Sequence, residues 1–230
     1  MEGPLAPDVL FHLGPVPVQR QVVTTWGIMA ALSALGPLAL GRAGTRWPLL
    51  RIAVEFLMEF ERRQFEPVLR EHTDRHLPLL GTLFLFIATA NLLAVVPGLE
   101  PPTSHVETPA ALALVVFAAV QVEGLRARGR HRLRDFLRPN VLFLPIHLLS
   151  ELSRTFSLAV RLFGNVASHE LVVGVLVSLA GLLVPVPFLL LAVLIGLVQA
   201  YIFTMLATVF LAAAVRGEDD AVQAPSGETG

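Results

Sequence analysis

The chain has 230 residues, of which 54% are hydrophobic and only 15% are charged. An ordinary soluble domain carries about 25% charged residues, so this composition favours a membrane protein over a chain with a water-facing surface. The 17 basic residues, all of them arginine, nearly balance the 18 acidic ones, so no excess of charge points to nucleic acid. The absence of cysteine excludes disulfides, thiolate metal sites and cysteine nucleophiles.

Five apolar stretches approach or exceed the roughly 20 residues that a helix needs to cross a bilayer. They cover Val22 to Leu40, Leu77 to Pro97, Pro109 to about Val122, Val141 to Val184 and Val186 to Val215. The first is not typical of a signal peptide, because the Pro-rich segment before it contains a single basic residue, so we expect it to be retained. The fourth is about twice as long as the hydrocarbon layer is thick, so it must be tilted, broken or partly laid along the interface.

The arginines of the connecting segments predict the topology. One group lies between the first and second stretches, from Arg42 to Arg75, and another between the third and fourth, from Arg126 to Arg138. By the positive-inside rule both segments are cytoplasmic, which places the N-terminus outside and the C-terminus inside. The RGRHRLR run could instead bind nucleic acid, but beside a membrane span we interpret it as a topology signal.

The predicted fold class is therefore an all-α polytopic membrane protein of about five spanning helices, the last two forming a long tilted hairpin. It forms a single membrane domain over residues 1–230, with an outer segment at 1–20, helices over 21–215 and a flexible cytoplasmic tail at 216–230. The segment from Arg51 to His72 has apolar residues at helical spacing among charged ones, which predicts an amphipathic helix at the cytoplasmic interface. Either a solvated connector or a docking surface would fit that pattern.

Polar residues of the fourth stretch share one helical face. At about 100° per residue they fall within about 40° of Arg161, while apolar residues occupy the rest of the circumference. This polar stripe consists of His147, Ser150, Arg154, Ser157, Arg161, Asn165 and Ser168. Glu151 and His169 lie at its margin, and Glu170 points the opposite way. A single serine or asparagine here would be explained by helix packing.

Arg161 needs a different explanation. An arginine at the bilayer centre costs at least about 3 kcal/mol on insertion scales, so an intramembrane arginine indicates a functional site. Its charge is permanent, so it can attract a carboxylate and repel a passing cation but cannot carry a proton. Glu170 and His169 can exchange protons if burial shifts them. A fixed charge flanked by titratable groups suggests a proton path with a block in its middle.

Two further polar residues stand in apolar surroundings. Gln199 is a strong hydrogen-bonding group in the last stretch with small residues on its face, which indicates close approach to another helix, either a general packing contact or one with the helix of Arg161. Asn91, near the outer end of the second stretch, is either a packing contact or part of a water-filled inlet.

Three segments resemble subunit a of the F-type ATP synthase membrane sector. They are SLAVRLFGNVASHE from Ser157 to Glu170, LVQAYIFTMLATVFLAAA from Leu197 to Ala214, and NLLAVVPGLEPPT from Asn91 to Thr103. The resemblance implies that Arg161 is the essential arginine facing the carboxylates of the rotating c-ring. It further implies that Gln199 neighbours that arginine on the partner helix, that Asn165 and Ser157 are polar positions beside it, and that Glu170 is the acid of the outer half-channel.

The chain departs from the family pattern at one pair of positions. Bacterial members commonly have glycine where His169 stands and histidine where Ala192 stands, so the imidazole has moved between helices. The resemblance also implies a non-catalytic stator subunit of a bacterial plasma (inner) membrane, without cofactor or metal and without nucleic acid. Its partners would be the c-ring, b-type peripheral stalk subunits and the lipid bilayer, and it would pass protons or, in some members, sodium.

Two unrelated functions are weighed against this one. A secondary transporter would also place polar residues at mid-membrane, but it should show repeated halves with interrupted helices, and the sequence shows neither. An intramembrane metal hydrolase could use His147 and Glu151, whose spacing permits metal ligation, but no third ligand can be named.

Overall fold

The computed structural model describes residues 9–13, 16–40, 48–94, 101–128, 144–181, 184 and 186–216. Its helices are α1 (Arg20–Leu40), α2 (Pro48–Leu69), α3 (Thr73–Leu93), α4 (Glu107–Arg128), α5 (Leu144–Ala180) and α6 (Val186–Arg216). Short 3₁₀ turns, Arg70–His72 and Pro102–Ser104, precede α3 and α4. The chain is an all-α polytopic protein, as predicted. The tail from residue 217 onward and the arginine-rich run beyond Arg128 lie outside the described residues.

A short β-hairpin that the sequence did not predict precedes α1. Strand β1 (Val9–Leu13) pairs antiparallel with β2 (Val16–Gln19), with Val9 opposite Gln19 and Leu13 opposite Val16. Valine and phenylalanine favour extended backbone, which explains the local preference. The hairpin adds a small element to the predicted outer segment.

Four helical stretches of the described chain are long and apolar enough to cross a membrane: Arg51–Leu93, Glu107–Arg126, Leu149–Leu179 and Val186–Val215. In the first of these, α3 supplies the span, because α2 carries three arginines and four glutamates. We therefore treat α2 as lying outside the hydrocarbon layer, at the interface. Helix α1 corresponds to the first predicted span, and its crossing of the membrane stays a prediction.

The structure removes one of the three alternatives for the fourth apolar stretch. Helix α5 runs unbroken over 37 residues, so it is about 56 Å long and exceeds the hydrocarbon thickness by a wide margin. A helix of that length must either be strongly tilted in the bilayer or lie partly along its interface. The predicted third span was too short, because α4 extends from Glu107 to Arg128.

Helix α6 lies at the centre of the core. One of its faces is buried from residue 196 onward, and the residues on that face are Gly196, Ala200, Phe203, Ala207, Leu211 and Ala214. Helix α3 packs against this face, and α4 packs against both α5 and α6. Small residues at such positions let the helix backbones approach closely, which is the main way that helices gain packing energy in lipid. The hydroxyls of Thr204 and Thr208 donate to carbonyls of α6 itself, so no buried hydroxyl is left unpaired there.

An ion-pair network joins α3 and α4 at one end of the bundle. Glu123 of α4 accepts from Arg126 Nη1 at 2.9 Å and from Arg75 Nη2 of α3 at 3.3 Å. His76 Nε2 lies 3.9 Å from the same carboxylate. The arginines that follow α2 and those that end α4 therefore lie at the same end of the molecule.

The amphipathic helix predicted from Arg51 to His72 is present as α2, which runs from Pro48 to Leu69. The buried side of this helix is not the side on which those regularly spaced apolar residues lie. The row formed by Ile52, Phe56 and Phe60 is exposed, with Phe56 at 70%. The buried face, on the other side of the helix, consists of Glu61, Phe65 and Leu69.

Candidate ion-translocation site

The polar stripe of α5 faces away from the core. Arg154, Ser157, Arg161 and Ser168 are exposed and Asn165 is half-buried, whereas Leu158, Leu162 and Val166 are buried against the neighbouring helices. The stripe therefore forms a surface of the isolated chain beside the contact of α5 with α6. The side chain of His147, the first member of the predicted stripe, lies outside the described residues.

Helices α5 and α6 form the predicted hairpin, and one contact between them indicates which of their residues lie at the same height. The guanidinium carbon of Arg154 lies 4.9 Å from the ring centroid of Phe210, a cation–π contact. In an antiparallel hairpin, residues that lie equally far from this pair along α5 and α6 are at the same height. Arg161 is therefore at the height of Phe203, and Asn165 at the height of Gln199. With a rise of 1.5 Å per residue, Arg161 and Gln199 then differ by about 6 Å in height.

Gln199 occupies a different environment from Arg161. It is only 6% exposed, whereas Arg161 is exposed. Among the described residues the Nε2 atom of Gln199 has no hydrogen-bond partner, although it is buried. A buried amide donor without a partner costs about 1 to 3 kcal/mol, so Gln199 is an unusual residue in this packed interface.

Asn91 of α3 joins three segments. Its Nδ2 donates to the backbone oxygen of Gly196 in α6 at 2.9 Å, and its Oδ1 accepts from Thr103 Oγ1 at 3.1 Å. Both Asn91 and Thr103 are buried. Of the two alternatives left by the sequence, the structure shows the packing contact, and a place in a water-filled inlet stays a prediction.

The titratable residues after the stripe lie on different sides of α5. Glu170 is exposed, and His169 is half-buried. By the residue count from Arg154 and Phe210, His169 lies within about one helical turn of the level of Ala192 on α6. Ala192 is also half-buried. The position where this chain has a histidine and the position where bacterial members commonly have one therefore lie at similar heights on the same hairpin.

Glu151, proposed in the metal-hydrolase alternative, contacts Gln121 of α4 through its carboxylate. Among the described residues no group of three or more histidines and carboxylates is close enough to hold a metal ion. The described part of the site therefore consists of two exposed arginines, Arg154 and Arg161, together with hydrogen-bonding side chains and single titratable groups.

Sequence reasoning missed the residues that hold this site in place. Phe210 and Thr103 were not singled out, because an aromatic residue in an apolar helix and a threonine in a loop are common. The only signal for Gly196 was its position on the face of Gln199. A Cβ added to Gly196 would come within 2.8 Å of Asn91 Cβ, which shows why glycine is needed there.

The fold and the site define the class of protein: an all-α polytopic membrane protein whose last helical hairpin exposes a polar stripe with a fixed positive charge. Residues 22–212 match the family described as ATP synthase A chain. The chain is 51% identical to "ATP synthase subunit a 2" of Bradyrhizobium sp. (strain BTAi1) over 93% of this chain and 96% of that protein. It is 40% identical to "ATP synthase subunit a" of Albidiferax ferrireducens, over 93% of this chain and 94% of that protein.

A third relative, "ATP synthase subunit a 1" of Chlorobaculum parvum, is 42% identical over 90% of this chain and 93% of its own length. A family match over most of the chain, together with relatives of this identity and coverage, settles the family. The chain belongs to the ATP synthase A chain family, that is, to subunit a of the ATP synthase.

Proposed function

We propose that this chain is the stator subunit of the ATP synthase proton channel. It forms two aqueous half-channels that load and unload the carboxylates of a rotating c-ring, and so couples ion flow to rotation and ATP synthesis. The chain itself is not catalytic in this scheme. The family match supports the subunit, and the position of Arg161 supports the role of the hairpin.

The exposure of Arg161 is the observation that carries the proposal. A guanidinium facing lipid in mid-membrane would cost several kcal/mol, so the exposed stripe needs a polar or anionic partner. A ring of carboxylates passing the stripe would supply that partner one charge at a time. The exposed Ser157 and the half-buried Asn165 add hydrogen-bonding groups beside the guanidinium.

The fixed charge of Arg161 explains how a leak would be prevented. A proton entering the outer half-channel neutralises a c-ring carboxylate, which can then rotate into lipid. After nearly a full turn the same carboxylate meets Arg161, releases its proton to the other half-channel and pairs with the guanidinium. Since one charge crossing the membrane is worth about 2.3 kcal/mol per 100 mV, an unblocked connection between the half-channels would dissipate the gradient.

The outer half-channel is assigned to Glu170, His169 and Asn91. Glu170 is the acid, and the His169 imidazole takes the place of the histidine that the family commonly has at the position of Ala192. Gln199 stays beside the path on α6, where its buried Nε2 has no hydrogen-bond partner among the described residues. The partners are the c-ring, b-type peripheral stalk subunits and the bilayer of a bacterial plasma membrane.

Replacing the arginine tests the proposal. In membrane vesicles carrying the whole ATP synthase, Arg161→Ala should abolish ATP-driven proton pumping and coupled ATP synthesis and leave a passive leak. Val160→Ala, an exposed apolar neighbour on the same helix, is the matched control and should pump normally. Normal pumping by Arg161→Ala would reject the role, and repeating the assay with and without sodium distinguishes the transported ion.

A further inference from the structure

The buried face of α2 contains a carboxyl group that the proposed function does not use. Glu61 is 4% exposed, beside Phe65 at 2% and Leu69 at 3%. The Oε1 atom of Glu61 has no hydrogen-bond partner among the described residues. Buried carboxyl groups are normally paired, because an ionised carboxylate in an apolar environment is very unfavourable. Glu61 is therefore an exception in need of an explanation.

The neighbouring helix leaves room for this carboxyl. Glu61 rests against Gly81 of α3, where an added Cβ would overlap its Oε2 atom. A glycine inside a helix costs about 1 kcal/mol relative to alanine. Helix α3 thus carries a less favourable residue at the one point where the Glu61 carboxyl enters the packed interface.

Three titratable groups on the elements around α2 contact residues other than Glu61. Asp74 pairs with Arg62 at 3.2 Å, and the His76 imidazole lies near Glu123. The hydroxyl of Tyr201 on α6 donates to Gln64 Oε1 at 3.0 Å. The part of α1 with described side chains, residues 21–37, contains no titratable group. Burial alone therefore raises the pKa of Glu61 to about 7 from an ordinary value of 4.5.

Glu61 is placed on the cytoplasmic side and near the ion path. Helix α2 leads into the arginine-rich end of the molecule, which the positive-inside rule assigns to the cytoplasm. One turn beyond Glu61, Gln64 is hydrogen-bonded to Tyr201, which is two residues from Gln199 on α6. Helix α2 is thus fastened directly to the helix that lines the proposed site.

We propose that the Glu61 carboxyl is a proton-binding site on the cytoplasmic side of the stator, through which protons released by the rotor leave the protein. This inference rests on the function proposed above and adds a residue to the exit side of the path. The ionised carboxylate takes up a proton at Oε1 and becomes a neutral carboxyl group. It then gives the same proton to cytoplasmic water, which regenerates the carboxylate.

A proton fits this group better than a metal ion does. A cation such as sodium needs several oxygen ligands, and Glu61 brings a single carboxyl group. No cluster of three acidic or histidine side chains surrounds it in the described part of the chain. A proton needs only the unpaired Oε1 atom, and an acid that titrates near the working pH can both accept and release it.

Glu61→Gln tests the inference, because glutamine keeps the size of the side chain and removes its titration. The matched control is Glu66→Gln, at an exposed glutamate of the same helix. ATP-driven pumping is measured in vesicles of the complete ATP synthase while the pH on the cytoplasmic side is varied between about 6 and 8, the range in which a group of this kind titrates. Glu61→Gln should pump several-fold more slowly and lose the dependence on pH, whereas Glu66→Gln should match the natural protein.

Infrared difference spectra of the complex provide a second measurement. A band of a protonated carboxyl should disappear as the pH rises through about 7, and it should be missing in Glu61→Gln. If Glu61→Gln does not assemble, Glu61→Asp keeps the carboxyl group and should shift the same band. An unchanged pumping profile in Glu61→Gln, or no titrating band assignable to residue 61, overturns the inference. Arg161→Ala in the same vesicles tests the stator function separately, so either idea can fail alone.

Discussion

At the scale of single residues, the contact between Asn91 and Gly196 fixes the centre of the protein. One amide side chain connects α3, the turn before α4 and α6 through two hydrogen bonds. Its Cβ atom occupies the space that a side chain at residue 196 would fill. Because Gln199 lies one turn further along α6, this contact also sets the height of Gln199 relative to α3.

Gly196→Ala should therefore separate α3 from α6. The new Cβ would lie 2.8 Å from Asn91 Cβ, and such overpacking typically costs about 1 to 3 kcal/mol, only partly offset by the better helix propensity of alanine. We expect a lower melting temperature of the purified complex and reduced ATP synthesis. Gly174→Ala, at a glycine of α5 with nothing within 4 Å, is the control and should leave both unchanged. Equal behaviour of the two variants would contradict the packing role.

At the scale of the elements, the sequence predicted where the helices lie along the chain better than which of their faces are buried. Apolar runs of sufficient length predicted the helices that correspond to α3 through α6, and the periodicity of Arg51 to His72 predicted α2. The faces were not predictable to the same extent, because in a bilayer both the lipid-facing side and the buried side of a helix are apolar. In α2, at the interface, the conspicuous row of Ile52, Phe56 and Phe60 is exposed, while Glu61 is buried.

The polar stripe of α5 shows what the sequence could establish about the site. Helical spacing alone predicted that Arg161 shares a face with Ser157 and Asn165. The side of the bundle toward which this face turns depends on the packing of Leu158, Leu162 and Val166 against other helices. Apolar residues at those positions would equally suit lipid, so only the structure shows the stripe as an exposed surface.

The level of the hairpin is testable because the chain has no cysteine of its own. The contact between Arg154 and Phe210 predicts that the pair Arg154→Cys and Phe210→Cys is joined by a bifunctional maleimide about 10 Å long, whereas a disulfide needs closer approach. The pair Ser168→Cys and Phe210→Cys is the control, since Ser168 lies about 21 Å further along α5. Cross-linking of the control pair but not of the first would show that the two helices pair at another level.

At the scale of the whole molecule, the charges are sorted between its two ends. The turn from α2 to α3 and the end of α4 meet in the network of Arg75, Arg126 and Glu123. The segment between α3 and α4, at the opposite end, contains no arginine. Positive charges near membrane helices tend to stay on the cytoplasmic side, so this sorting supports the predicted orientation, with the arginine-rich end in the cytoplasm.

The orientation predicts which exposed positions can be reached from outside the cell. Val106, in the arginine-free segment before α4, is 53% exposed, and Glu71, in the turn between α2 and α3, is also exposed. In intact spheroplasts a membrane-impermeant maleimide should modify Val106→Cys and leave Glu71→Cys unmodified. In inverted vesicles the pattern should reverse, because the cytoplasmic side then faces the reagent. The opposite result would place the arginine-rich end outside, and Glu61, which lies on the helix leading into that end, could then no longer serve as a cytoplasmic exit for protons.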